Sequence, residues 1–174
     1  MIICYGDSNT YGYDPADIFG GRYKAEDRWP DILASLTGDI VINYGLNGRE
    51  IPHYPRSIQD AVNLIRSRGE AETLIIMLGT NDILCMPDAS ADGVSERMDA
   101  FLGALVPAFP SIRFLLVSPP GFGLNTAYKK IAEKYAVIFA DSNLWNLPLA
   151  FDGIHFTPEA NRIFAQNIYA ILNA

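Results

Sequence analysis

Five short runs of apolar, β-prone residues punctuate the chain, at positions 2–5, 40–44, 73–78, 112–118 and 137–140. Each is apolar on both faces rather than at alternate positions, which is the pattern of a parallel strand covered on both sides. Between the runs the apolar positions take a helical period, near residues 29–37, 58–68, 94–109 and 127–135. A last helix over 158–172 has a sharply marked start, with Thr157 as N-cap, Pro158 at the first helical position and Glu159 in the first turn. Ala160, Ile163, Phe164, Ile168, Ile171 and Leu172 then form one apolar stripe. Strands alternating with helices predict an α/β fold, a three-layer α/β/α sandwich around a parallel sheet.

Composition narrows the class. At 174 residues the chain has the length of one domain, expected to span 1–174, and no linker, repeat or low-complexity tract divides it. Hydrophobic residues make up 49% of it, which excludes a disordered chain. The 13 Lys and Arg are scattered against 20 Asp and Glu, for a net charge of −7. Such a surface offers no basic stripe to nucleic acid and disfavours docking on anionic membranes. No apolar run reaches the roughly 18 residues of a membrane span. The N-terminal stretch lacks the basic and apolar regions of a secretion signal. Cys4 and Cys85 make no disulfide framework, so a reducing, cytoplasmic setting is expected.

In an open parallel sheet the chemistry lies in loops beyond the carboxyl ends of the strands. Polar, glycine-rich sequence collects there: Gly6-Asp7-Ser8-Asn9, Asn43-Tyr44-Gly45-Leu46-Asn47-Gly48, Gly79-Thr80-Asn81-Asp82, Ser118-Pro119-Pro120 and Asp152-Gly153-Ile154-His155. A serine hydroxyl is a poor nucleophile until a base takes its proton, and an imidazole works best with a carboxylate to fix its tautomer. Ser8, His155 and Asp152 supply those three groups. An oxyanion on an acyl group also needs donors in place beforehand. The Ser8 and Gly48 N–H groups and the Asn81 amide could serve. Taken singly, each has a plainer reading. Ser8 suits a turn, Asn81-Asp82 a helix cap or Asx-turn, Gly45 and Gly48 turn geometry, and Asp152 with His155 a surface pair. It is their occurrence together, each after a strand, that points to nucleophilic chemistry.

On these residues the chain resembles the SGNH hydrolases, also called the GDSL-like lipase/esterase family, over nearly its whole length. The opening Cys4-Tyr5-Gly6-Asp7-Ser8-Asn9-Thr10-Tyr11-Gly12-Tyr13-Asp14-Pro15 is most similar to the arylesterase-like branch, with Asn where the family name has Leu. Asn43-x-Gly45-x-x-Gly48-Arg49, Leu78-Gly79-Thr80-Asn81-Asp82 and Asp152-Gly153-Ile154-His155-Phe156 resemble the later blocks. The resemblance implies a five-stranded flavodoxin-like sheet and a serine esterase working through an acyl-enzyme. Ser8 would be the nucleophile, with Asp152 and His155 completing the triad, and Ser8, Gly48 and Asn81 forming the oxyanion hole. It also implies an ester substrate with water as co-substrate, and neither metal nor cofactor.

Two departures stand out. Arg49 is followed by Glu50, where the branch usually has Thr, which puts a carboxylate near the rim. Only Gly121 to Asn125 separate Pro120 from Thr126, where relatives often carry a longer segment. So brief a segment leaves little chain for a long acyl tunnel, and acetyl to butyryl esters are expected.

Other readings stay open at this point. Asp7, Asp82, Asp152 and His155 are ligand types that suit a metal-dependent phosphoesterase. A flavin or nucleotide module would share the topology, although GxGxxG and P-loop sequences are absent. A non-catalytic binding protein on the same fold is the third reading. His53, in a proline-rich stretch, reads as a loop histidine that could border the pocket. Asp7 reads as a turn-holding residue, Cys4 as a buried strand residue and Cys85 as packing near the third loop. Asp141 and Trp145 are candidates for the rim, and exposed sheet edges make a homo-oligomer possible.

Overall fold

The structure, a computed structural model, describes residues 1–69, 71–85 and 90–174. Strands β1 (Ile2–Gly6), β2 (Val41–Gly45), β3 (Thr73–Met77), β4 (Arg113–Ser118) and β5 (Ile138–Asp141) form one sheet in the order β2-β1-β3-β4-β5. Every pairing is parallel. All five apolar runs thus become strands, with ends shifted by at most one residue. β1 and β3 are buried throughout, and β4 is buried beyond Arg113. β2 is only half-buried along its length, and β5 mostly so. The expectation of strands fully covered on both faces therefore fails for these two, because each is an edge with a neighbour on one side only.

The helices are α1 (Ser8–Tyr11), α2 (Trp29–Thr37), α3 (Pro55–Arg66), α4 (Thr80–Cys85), α5 (Ala91–Ala108), α6 (Asn125–Lys134) and α7 (Pro158–Leu172). α2 and α7 match the periodicity at both ends. α3 begins earlier than its apolar period suggests, since Pro55 needs no N–H partner in the first turn. α5 also begins earlier, behind Ser90, whose hydroxyl accepts from Gly93 N–H. α1 and α4 fill segments that read as loop, because neither is long enough to show a period. No described helix is long and apolar enough to cross a membrane.

Alternate strand residues feed two cores. Ile3, Tyr5, Leu74, Ile76, Phe114 and Leu116 face α3, α5 and α6, whose Val62, Ile65, Phe101, Leu105 and Tyr128 pack there. Ile2, Cys4, Ile75, Met77, Leu115 and Val117 face α2 and α7, through Trp29, Leu33, Phe164 and Ile168. Burial of this apolar surface on both faces is what holds the three layers together.

Short as it is, α1 lies very close to the ends of β1 and β2. A Cβ on residue 45 would stand 2.0 Å from the Tyr11 nitrogen and 2.5 Å from the Thr10 carbonyl carbon. A Cβ on residue 6 would stand 2.0 Å from Thr10 Oγ1. Gly45 therefore serves close backbone approach, and its φ is not in the left-handed region. Asn43 completes the seat, accepting from Gly45 N–H at 2.8 Å and donating to Thr10 O at 2.8 Å. Gly45→Ala is expected to destabilise the protein by about 2–3 kcal/mol, the scale of overpacking against backbone that cannot yield. Urea unfolding would check this; a loss within about 0.5 kcal/mol, the ordinary surface range, would mean that α1 shifts freely.

Candidate active site

In the order β2-β1-β3-β4-β5, successive strands are added in opposite directions on either side of β1 and β3, which opens a crevice at their carboxyl ends. Ser8 opens α1 directly after β1, and Asn81 lies in the first turn of α4 directly after β3. The loop after β2 brings Asn47 and Gly48, and the loop leading into α7 brings Asp152 and His155. These converge on an open pocket of about 320 Å³ lined by Ser8, Tyr13, Asn47, Gly48, Asn81 and His155.

Ser8 is 7% exposed. Its Oγ lies 3.0 Å from His155 Nε2, and His155 Nδ1 lies 2.6 Å from Asp152 Oδ2. With its Nδ1–H donated to the carboxylate, the imidazole presents Nε2 as an acceptor toward the Ser8 hydroxyl. Asp152 Oδ1 also accepts from Ile154 N–H at 2.9 Å and His155 N–H at 3.0 Å. Partial burial pushes the Asp152 carboxyl up, but these hydrogen bonds outweigh it and hold the group below its ordinary value. The ring of Tyr13 packs against that of His155 at a centroid distance of 4.6 Å. Tyr13 carries no signal of its own in the sequence beyond its place in the first block.

Three residues expected to supply donors, Ser8, Gly48 and Asn81, line the same pocket. Neither Ser8 N–H nor Gly48 N–H is engaged by another group among the described residues. Gly48 is left-handed (φ +72°) with open space where a side chain would lie. Asn81 Nδ2 donates to Arg49 O at 3.0 Å, which orients the amide and leaves its second N–H unspent. Arg49 turns inward, donating to the carbonyls of Gly6 and Tyr44 and lying over the Tyr5 ring.

Several expectations change on inspection. Glu50 does not present a free carboxylate to the rim: it pairs with Arg97 at 3.1 Å. Arg97 also holds the buried Asp82 at 2.9 Å, and Asp82 in turn accepts from Ile51 N–H at 3.0 Å. The loop after β2 is thereby tied to α4 and α5, a role for Arg97 that no local pattern signals. With Asp82 committed to Arg97 and Ile51, and Asp152 to His155, these carboxylates are not gathered as a metal-ligand set.

His53 does not line the Ser8 pocket. Its ring bonds Ile51 O at 2.9 Å, packs on Tyr54 and borders a different pocket of about 360 Å³. Cys4 is buried as expected, but Cys85 is exposed, because it ends α4 rather than packing beneath the loop. Trp145 packs on Phe164 of α7 and not at the rim. Asp141 accepts from Ser118, Asn125 and Asn143, stitching the ends of β4 and β5 to α6.

A profile of the GDSL-like lipase/acylhydrolase family matches residues 4–163, which take in Ser8, Gly48, Asn81, Asp152 and His155. The chain belongs to that family. As a GDSL-like acylhydrolase it is a carboxylic ester hydrolase, with an ester and water as its reactants. Solved structures share the fold over nearly their full length. The aryl esterase of M. smegmatis is 25% identical with a TM-score of 0.87, covering 99% of this chain and 97% of that one. A carbohydrate acetylesterase family member from Sinorhizobium meliloti is 24% identical with a TM-score of 0.85, covering 99% and 96%. A member of the lipolytic G-D-S-L family from Veillonella parvula is 18% identical with a TM-score of 0.76, covering 99% and 97%. A search of curated protein sequences finds no match.

Asp7 holds the turn beneath the pocket, its Oδ1 accepting from Asn9 N–H at 3.0 Å as the N-cap of α1. Its Oδ2 is buried with no hydrogen-bond partner among the described residues. Burial pushes this carboxyl up to about 6, against the pull of the Asn9 N–H and the nearby Thr80 hydroxyl, which it does not meet in hydrogen-bond geometry. A carboxyl raised on folding favours the protonated native state. Its contribution is full below the ordinary value of 3.8 and is lost as pH rises through about 6. Asp7→Asn should therefore gain stability relative to the parent protein between pH 4 and 7, by about 2 kcal/mol. Denaturant unfolding at the two pH values tests this, and a difference independent of pH would show that Oδ2 is solvated.

Proposed function

We propose that residues 1–174 act as one unit that hydrolyses small acyl esters, acetyl to butyryl, through a Ser8–His155–Asp152 triad and an acyl-enzyme. The observation that carries this reading is the unbroken contact from Ser8 Oγ to His155 Nε2 and from Nδ1 to the Asp152 carboxylate. Ser8 Oγ attacks the ester carbonyl carbon as its proton passes to His155 Nε2. The electron pair moves onto the carbonyl oxygen, where Ser8 N–H, Gly48 N–H and the Asn81 amide receive the charge. Collapse expels the alcohol, which takes the proton from His155 and leaves the acyl group on Ser8. Water, deprotonated by His155, repeats the sequence and releases the acid. Asp152, kept ionised by its three hydrogen bonds, stabilises the imidazolium formed in each half.

Substrate size follows from the space. A pocket of about 320 Å³ walled by Tyr13 suits a short acyl chain, and its open mouth leaves the alcohol side little constrained. Aryl esters and acetylated sugars, the substrates named for two structural neighbours, both suit it.

A serine-directed phosphonate should add once, on the peptide containing Ser8, and Ser8→Ala and His155→Ala should lose nearly all activity while His53→Ala keeps it. Labelling elsewhere, or an active and folded Ser8→Ala protein, would overturn the nucleophile assignment. In a panel of esters sharing one leaving group, kcat/KM should peak at about two to four acyl carbons and survive a chelator. Tyr13→Ala should move that peak to longer chains. A long-chain optimum in the parent protein would refute the small pocket, and chelator-sensitive phosphoester hydrolysis would favour the metal chemistry instead.

A further inference from the structure

Where the family name has Leu, this chain has Asn9, and the structure gives that amide a definite use. Asn9 is 4% exposed. Its Oδ1 accepts from Phe156 N–H at 2.8 Å, and its Nδ2 donates to Ile154 O at 3.1 Å. The two bonds grip the chain immediately before and immediately after His155. We propose that Asn9 is the positioning residue for the general base, setting the His155 imidazole against the hydroxyl of its own neighbour Ser8. The proposal rests on the triad reading given above.

Three features support it. The other hydrogen bonds of the His155 segment are local. Asp152 bonds Ile154 and His155, Ala150 N–H donates to His155 O, and Thr157 bonds Pro148 O. They shape the loop but do not fix it relative to α1. Among the described residues, the hydrogen bonds between α1 and this loop are the two from Asn9 and the Ser8–His155 contact itself.

Secondly, the amide offers one acceptor and one donor, matched to an N–H and a carbonyl that flank His155. A shift of the loop by one residue would set like against like, so the pair of bonds fixes register as well as distance. Thirdly, Asn9 is adjacent to Ser8 in α1, and its own N–H is held by Asp7. Nucleophile and base are thus referred to the same turn of chain. A leucine of similar size could fill the space but would strand both backbone groups in the interior.

The test is kinetic. Asn9→Ala and Asn9→Asp would be made singly and in a His155→Ala background, with kcat and KM measured on a short-chain ester and thermal stability measured alongside. Displacing a catalytic group by about 1 Å can cost about 10²-fold. A fall in kcat of about that size with little change in KM is expected for each single variant. No further loss should appear in the His155→Ala background, because a residue acting through the base has nothing left to position. Asn9→Asp conserves shape and the bond from Phe156, so it carries the test if Asn9→Ala does not fold. Unchanged kcat in a folded variant would overturn the proposal, as would the same loss recurring in the His155→Ala background, which is the mark of a merely structural role. If the Asn9 variants fail in this way while His155→Ala is inactive, the base assignment stands without Asn9. If His155→Ala is fully active, the base assignment falls and this proposal with it.

Discussion

Helix α1 packs on the ends of β1 and β2 at a separation that no side chain could share. Two glycines, Gly6 and Gly45, clear the space, and a Cβ on residue 45 would fall among the backbone atoms of Thr10 and Tyr11. The contact is steric and backbone to backbone, so it leaves few ways to adjust. Ser8, the first residue of α1, is thereby held at the carboxyl edge of the central strands. The polar groups that this abrupt turn exposes are met locally: Asn43 takes Thr10 O, and the Arg49 guanidinium takes the carbonyls of Gly6 and Tyr44. The other parts of the site are brought to Ser8 by loops from the remaining strands.

Three carboxylates near the crevice meet three different fates, and each follows from what surrounds it. Asp152 accepts three hydrogen bonds and keeps a low pKa, as a partner for an imidazole must. Asp82 is buried but carries a guanidinium and a backbone N–H, which turns its charge into a fastening between the loop after β2 and helix α4. Asp7 is buried with only one of its oxygens bonded, and burial raises it. The first orients the His155 imidazole, and the second ties the loop that carries Gly48 to α4 and α5. The third is a buried carboxyl close to Ser8 whose charged form burial disfavours, the kind of local compromise that functional sites tend to retain.

Membership of the GDSL-like family accounts for the sheet and the four blocks, but this chain's own residues give the pocket its particular form. Glu50, which departs from the arylesterase-like pattern, is drawn into a bridge with Arg97, so its charge serves the loop and not the substrate. The short connection after β4 packs down through the buried Leu124 and is pinned by Asn143 to Gly121 N–H. Tyr13 stands against the imidazole as a wall. The pocket beside Ser8 is thus walled by Tyr13 and His155 and bordered by Asn47, Gly48 and Asn81.

Residue spacing alone determined a good deal. Apolar runs of strand length are visible because central parallel strands, covered on both faces, favour apolar residues at successive positions, and the helix over 158–172 is visible because its cap and its stripe are both local. Most of the positions that meet at the pocket, Tyr13 excepted, were legible too, since the parallel topology sends every strand's carboxyl end to one edge and glycine-rich polar sequence marks those ends. Short helices such as α1 and α4 were not legible, for they span less than the window in which a period can be seen. The half-burial of β2 and β5 depends on which strands become edges, and strand order is not written in any one strand. The partners of Glu50, Asp82, Arg97 and Asn9 were hidden for the same reason. A hydrogen bond between residues 9 and 156 is a long-range coincidence of the folded chain, and only packing the helices on the sheet brings those atoms within reach. Local chemistry is encoded in the types of residues and their spacing, whereas distance and orientation between distant segments exist only once the tertiary structure has closed.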